Sequence, residues 1–146
     1  MVAKGLNFPN LQLVGVIMAD AGLHMPDFRA GERTFSLITQ VAGRAGRYFP
    51  DGKVFVQTYS PGREPVLFAC KNAVEAFYNY ELTQRSLMEF PPFSRLLRIV
   101  FRSFSKEAAY KTAFEASKIL GQMNVKGAEI IGPAECPIER INSNWR

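Results

Sequence analysis

The chain has 146 residues, of which 47% are apolar, and a formal net charge of +5. That length allows one ordinary domain or two small ones, each with a packed core. No run approaches the 18 or so apolar residues of a membrane-spanning helix, and the basic balance permits a nucleic-acid partner without specifying one.

The first residues lack the charged-then-apolar pattern of a secretory leader, so a cytoplasmic protein is expected. Cys70 and Cys136 stand far apart and unpatterned, which points to a reducing compartment. With them and one histidine, His24, as the soft ligands, no zinc site is expected within this chain.

Gly5, Asn7, Pro9 and Asn10 mark a loop over 2–10. Leu11–Ala19 is nearly continuously apolar and predicts a strand covered on both faces, as in a parallel sheet. Asp20 and His24 follow in a loop at its carboxyl end, where open α/β sheets gather ligands. Asp27 is placed to cap a helix running to about Arg47, with Phe35, Ile38, Ala42 and Ala45 facing the core. Pro50-Asp51-Gly52 turns the chain into a second strand over Lys53–Tyr59. One or two helices are predicted over 65–88, with an apolar stripe of Phe68, Ala69, Ala73, Ala76, Phe77, Tyr80 and Leu82.

Phe90-Pro91-Pro92-Phe93 breaks the pattern and is the candidate domain boundary, giving domains 1–89 and 90–146. Beyond it a strand is predicted over Arg95–Phe104 and a helix over Lys106–Met123 capped by Ser105. Ala109, Ala113, Ala116, Ile119 and Leu120 would face inward on that helix. A short strand is predicted over Glu129–Gly132, and Pro133–Arg146 is read as irregular. Strand, helix and strand make half of a split βαβ domain. The fold class is therefore α/β: a parallel sheet with helices, followed by a small, incomplete α+β domain.

The segment richest in chemistry is Gln40-Val41-Ala42-Gly43-Arg44-Ala45-Gly46-Arg47. On a helix Gln40, Arg44 and Arg47 fall at i, i+4 and i+7, on one face. Guanidinium forks match phosphate oxygens and stay charged. Gly43 and Gly46 each cost about 1 kcal/mol relative to alanine inside a helix, which the close approach of a backbone or a nucleotide would explain. A frayed basic helix end would also produce this pattern.

Gln40 to Arg47 resembles motif VI of superfamily-two helicases, Q-x-x-G-R-x-G-R, and Lys4 to Asn10 with the following strand resembles their motif V region. Met25 to Phe35, Gln57-Thr58-Tyr59 and Phe90 to Arg95 resemble the PriA family more specifically. The resemblance implies the C-terminal half of a second RecA-like helicase lobe followed by a truncated C-terminal domain. It implies that Arg47 and Arg44 reach the triphosphate of ATP, with Arg47 favoured as the arginine finger. Gln40 and Gly43 would join them in nucleotide binding, while Lys4 and Gly5 would couple the nucleotide to DNA. The intact protein would be a 3′-to-5′ ATP-dependent DNA helicase of replication restart, using ATP and magnesium. It would carry zinc outside this chain, and meet forked or single-stranded DNA, single-stranded-DNA-binding protein and primosome proteins in the bacterial cytoplasm.

No G-x-x-x-x-G-K-[ST] loop occurs, so the chain alone is not expected to hydrolyse ATP. Met1 falls where the family has a methionine before motif V, suggesting a piece of a longer chain. The alternative function is a non-enzymatic module binding DNA or replication proteins. Arg140, Trp145 and Arg146 are the candidate DNA contacts, although Trp145 could equally pack inward from a final strand. Asp20 could act near the nucleotide or hold a strand-end turn. Asp27 and Glu32 are expected to pair with Arg29 or Arg33. His24 lacks a recognisable catalytic partner and is read as a loop residue, and the aromatic stripe of 68–80 as core. An exposed edge on the first strand would favour self-association of the chain.

Overall fold

The apolar run after residue 10 forms a short strand, β1 (Leu13–Val16), and the alternating run after the Asp51-Gly52 turn forms β2 (Lys53–Val56). The computed structural model describes residues 11–45 and 51–146. Helix α1 (Ala30–Ala45) connects the strands, which pair in parallel with Leu13 opposite Lys53 and Val16 opposite Val56. The backbone pairing continues at the carboxyl end, where the Ala19 amide donates to the Gln57 carbonyl over 2.9 Å.

Among the described residues only one face of this sheet is covered. Val14 packs with Val41 and Ala45 of α1, whereas Leu13 is 59% and Ile17 77% exposed. The two-sided burial expected of the first strand is thus corrected. Among the described residues β1 has one strand partner and one helix over it, so period-2 alternation sends every second side chain to solvent. Both strands are also shorter than the runs predicted for them, Leu11–Ala19 and Lys53–Tyr59.

A second core cluster gathers Phe35 and Ile38 of α1 with Val66 and Ala69 of α2 (Glu64–Cys70) and Phe77 of α3 (Val74–Leu87). The Phe35 and Phe77 rings stack with centroids 3.9 Å apart. Helix α1 buries Val41, while Ala42, expected inward, is only half-buried; Ala76 and Leu82 of the predicted stripe are exposed. Gly31 lets α2 approach α1: a β-carbon there would lie 3.2 Å from the Pro65 ring.

Helices α2 and α3 end alike. Asn72 and Glu89 both take positive φ, 50° and 53°. After α2 the Ala73 amide donates to the Phe68 carbonyl and the Asn72 amide to that of Ala69; after α3 the Phe90 amide donates to Arg85 and the Glu89 amide to Ser86. Each is a Schellman closure that satisfies otherwise orphaned carbonyls.

The chain separates into two compact units, Met1–Leu96 and Leu97–Arg146. The second is built on α4 (Lys106–Gln122), whose N-cap Ser105 accepts a hydrogen bond from the Ala108 amide. The strands expected over Arg95–Phe104 and Glu129–Gly132 do not form. The first is reduced to a bridge in which Ser103 and Trp145 exchange both backbone hydrogen bonds. A strand needs a partner along its length, and here the pairing stops at one residue.

The tail read as irregular instead holds a hairpin of β3 (Arg140–Ile141) and β4 (Asn144–Trp145). Its turn residues, Asn142 and Ser143, have φ of 47° and 64°. Paired positive φ values are the signature of a type I′ turn, whose twist suits a tight hairpin. On α4, Ala109 is buried as expected and Ala113, Ala116 and Leu120 are half-buried, but Ile119 is exposed.

Truncating Phe77 removes the ring at the centre of the main cluster. Phe77→Ala is expected to destabilise the first unit by about 3–5 kcal/mol. Urea unfolding followed by circular dichroism checks this; a change below about 1 kcal/mol would show the stack to be dispensable.

Candidate functional site

The C-terminal turns of α1 carry the residues singled out from the sequence. Glu32 in the first turn and Arg44 in the last match the helix dipole. Gln40 is exposed and Arg44 half-buried, one turn apart on the face turned away from Ile38 and Val41. Gly43 lies beside them, and a β-carbon built on it would meet nothing within 4 Å. The chain's own described packing therefore does not require glycine there. Lys4, Gly5, Gly46 and Arg47 lie outside the described residues.

Asp20 sits at the carboxyl end of the parallel strands, in a 3-10 turn (Ala19–Gly22), and is buried. One carboxylate oxygen accepts from the Thr58 hydroxyl at 2.5 Å and the other from the Tyr59 amide at 2.7 Å. Thr58 in turn accepts from the Ser60 amide at 3.0 Å. The Thr58 and Tyr59 hydrogen bonds hold the Asp20 carboxyl below its ordinary value, against the opposing effect of burial. With both oxygens engaged, Asp20 fixes the turn after β2. His24 is exposed, and no cluster of three or more potential metal ligands occurs among the described residues.

At the other end of α1, Asp27 pairs with Arg29 at 3.3 Å and with Arg33 at 2.9 Å, as expected. It accepts from the Arg29 amide at 3.0 Å, and that bond leads the effects holding its carboxyl low. Glu32 departs from expectation by pairing with Arg85 of α3 at 2.6 Å. Arg85 also binds Glu81 at 2.9 Å, donates to the Pro91 carbonyl at 3.4 Å and lies 5.1 Å above the Phe28 ring. Phe28 stacks on Phe90 with centroids 5.3 Å apart. Burial disfavours the Arg85 charge, but the hydrogen bonds it donates to Glu32 and Glu81 outweigh that and raise its pKa. The sequence reading missed Arg85; the i, i+4 spacing of Glu81 and Arg85 was the one available signal.

In the second unit, Arg140 and Lys106 each approach the Trp145 ring, at 5.4 Å from its centroid. Lys106 is held by Glu135 and Glu139, both at 2.9 Å, whose hydrogen bonds push it up to about 12. Arg146 donates through Nε to the Ile138 carbonyl at 2.8 Å. Trp145 is half-buried, so the hairpin unites two of the candidate DNA contacts around one indole.

Residues 86–146 match the family model described as the primosomal protein N C-terminal domain. Over its whole length the chain is 48% identical to the replication restart protein PriA of Treponema pallidum and 38% identical to that of Borreliella burgdorferi. It belongs to the PriA family. The PriA of Bacillus subtilis is 42% identical and likewise aligns with all of the chain. The chain spans about a fifth of the length of these curated PriA relatives: 22%, 22% and 18%. Among the described residues no helix is long and apolar enough to cross a membrane, and Cys70 and Cys136 are free thiols.

The depressed Asp20 pKa makes a pH-dependent contribution to stability. It is present above the unfolded value of about 3.9 and is lost as pH falls through the lower folded value. Asp20→Asn is therefore expected to lower the thermal midpoint at pH 7 and to reduce its decline between about pH 5 and 2. Thermal scans of both proteins across that range check this; parallel curves would remove Asp20 from the turn-fixing role.

Proposed function

We propose that the chain is part of a 3′-to-5′ ATP-dependent DNA helicase acting in replication restart, and that its first unit belongs to a RecA-like lobe contacting the nucleotide. The observation that carries this reading is the bare, exposed backbone at Gly43. It lies beside Gln40 and Arg44, in a helix where glycine costs about 1 kcal/mol and the described packing does not call for it. A phosphate-bearing ligand brought to that face would lie beside the side chains of Gln40 and Arg44.

Arg47 is assigned the finger, stabilising charge on the transferred phosphoryl group, and Arg44 a phosphate or interlobe contact. Gln40 orients a phosphate, a water or an arginine, while Lys4 and Gly5 couple the nucleotide to DNA. ATP with magnesium is bound mainly by a preceding lobe, and zinc belongs to other parts of the parent. Forked or single-stranded DNA, single-stranded-DNA-binding protein and primosome proteins are the proposed partners, in the bacterial cytoplasm.

A second reading, a non-enzymatic binding module, draws on the hairpin of the second unit. Arg140, Trp145 and Arg146 would contact DNA there. A base stacked on an aromatic side chain contributes about 1–3 kcal/mol, more than the roughly 0.5–1 kcal/mol of an exposed cation–π contact. Exposed Arg140 can therefore leave the indole for a phosphate, whereas Lys106 stays held by its two glutamates.

In the full-length parent, Arg47→Ala is expected to lower ATP turnover by about 10³-fold or more while weakening DNA binding far less. Steady-state turnover and a DNA titration on one preparation test this; unchanged turnover would remove Arg47 from the finger role. The 146-residue chain alone is expected to show no ATPase above background, since it has no P-loop. Any DNA binding it shows should weaken steeply with salt and vary little with sequence, which titrations at two salt concentrations measure.

A further inference from the structure

We propose that Arg85 is a joint tying the N-terminal turn of α1 to the segment 90–94, so that movement of α1 is passed to the chain as it leaves the first unit. Two motifs that the nucleotide reading leaves unused, the stretch around Asp27 to Arg33 and the run Phe90-Pro91-Pro92-Phe93, meet at this side chain. One guanidinium binds Glu32 of α1 at 2.6 Å, Glu81 of its own helix at 2.9 Å and the Pro91 carbonyl at 3.4 Å. The Phe28 ring lies 5.1 Å beneath it and stacks in turn on Phe90. The backbone reinforces the link: the Phe90 amide donates to the Arg85 carbonyl at 2.8 Å, and the Phe93 amide to the Phe90 carbonyl at 3.0 Å.

Neutralising Arg85 needs only one carboxylate, and Glu81, one turn earlier, already supplies it. Glu32 is the shorter contact and comes from another helix. The Glu32–Arg85 pair is only part-buried, and an apolar replacement of even a buried ionic pair is often no less stable. The ionic form adds direction: the guanidinium plane fixes where its partners lie, which a lysine would not do. Helix α1 has 16 residues, about 24 Å from end to end. Glu32 stands near one end and Arg44 near the other. A displacement at the Arg44 end reaches the joint through a continuous hydrogen-bonded rod.

The joint itself follows from the contacts; only its use in nucleotide coupling rests on the proposed function. Two experiments separate these. First, amide exchange is measured on the 146-residue chain carrying Glu32→Gln or Arg85→Met. Glu32→Gln leaves the Glu81–Arg85 pair intact and removes only the charge of the bridge to α1, so it remains informative if Arg85→Met fails to fold. The Phe90 and Phe93 amides are expected to exchange at least about tenfold faster in Glu32→Gln, with the Phe77 amide unchanged. Rates at Phe90 and Phe93 within about twofold of the parent chain overturn the joint.

Second, the full-length protein carrying Glu32→Gln is expected to keep its DNA-free ATP turnover and to lose DNA stimulation at least about fivefold. Equal loss of both overturns the coupling. If Arg47→Ala leaves turnover intact, the nucleotide reading falls, whereas the exchange result on the joint stands or falls separately.

Discussion

Helix α1 has to satisfy opposite demands on its two sides, and the first unit is organised around that. Its apolar stripe packs on β1, β2 and the 3-10 turn toward one end and on α2 and α3 through Ile38 and Phe35. This uses up Thr34, Phe35, Ile38, Val41 and Ala45, all buried. The opposite side is left with Arg33, Leu37, Gln40 and Arg44, at i, i+4, i+7 and i+11. A residue cannot serve both sides, so the backbone that carries these side chains is fixed largely by the packing of the opposite side. The helix thus presents Arg33, Gln40 and Arg44 from a backbone set by its apolar side.

The two units hold their elements by different means. The first has a true apolar core, with Ile38, Val66 and Phe77 at 1%, 1% and 0% exposure. In the second, among the described residues only Ala109 is buried, and Leu97, Phe104 and Ile131 are at least 80% exposed. Its order comes from the Ser105 cap, the Ser103–Trp145 bridge, the Lys106 pairs with Glu135 and Glu139, and the cations over Trp145. Most of these are partly exposed, and exposed ion pairs contribute about 0–1 kcal/mol each. Lys106 matters through its position: it leads α4 while its partners lie just before β3, so one ammonium joins the helix start to the hairpin base.

How far the sequence could be read follows the range of the forces involved. Local rules sufficed for the cap and extent of α4, where Ser105 precedes a periodic apolar run, and for the alternation of β2. They failed where the outcome depended on partners. Leu11–Ala19 is apolar throughout, but whether such a strand is covered on both faces is decided by what lies above and below it, and here Ile17 is 77% exposed. Arg95–Phe104 has the composition of a strand and little to pair with. The β3–β4 hairpin was hidden for another reason. Its turn is Asn142-Ser143 rather than Asn-Gly, and serine at positive φ is not a residue from which such a turn is inferred.

The site residues divide in the same way. Gln40, Gly43 and Arg44 could be proposed from sequence because their spacing is local to one helix, and Arg140 with Trp145 because they are close in the chain. Arg85 could not, since its partner Glu32 is 53 positions away. From sequence, Glu32 had two nearer candidates, Arg29 and Arg33, and proximity along the chain favoured them. Asp27 takes both instead: its carboxylate precedes the helix, where it can accept the Arg29 amide and still reach Arg33. Glu32 instead pairs with Arg85 of α3, and a β-carbon at Gly31 would lie 3.2 Å from Pro65 and 3.4 Å from Glu81, so the helices meet closely there. The local and long-range pairs thus divide the charges between them: Asp27 takes Arg29 and Arg33, and Glu32 takes Arg85.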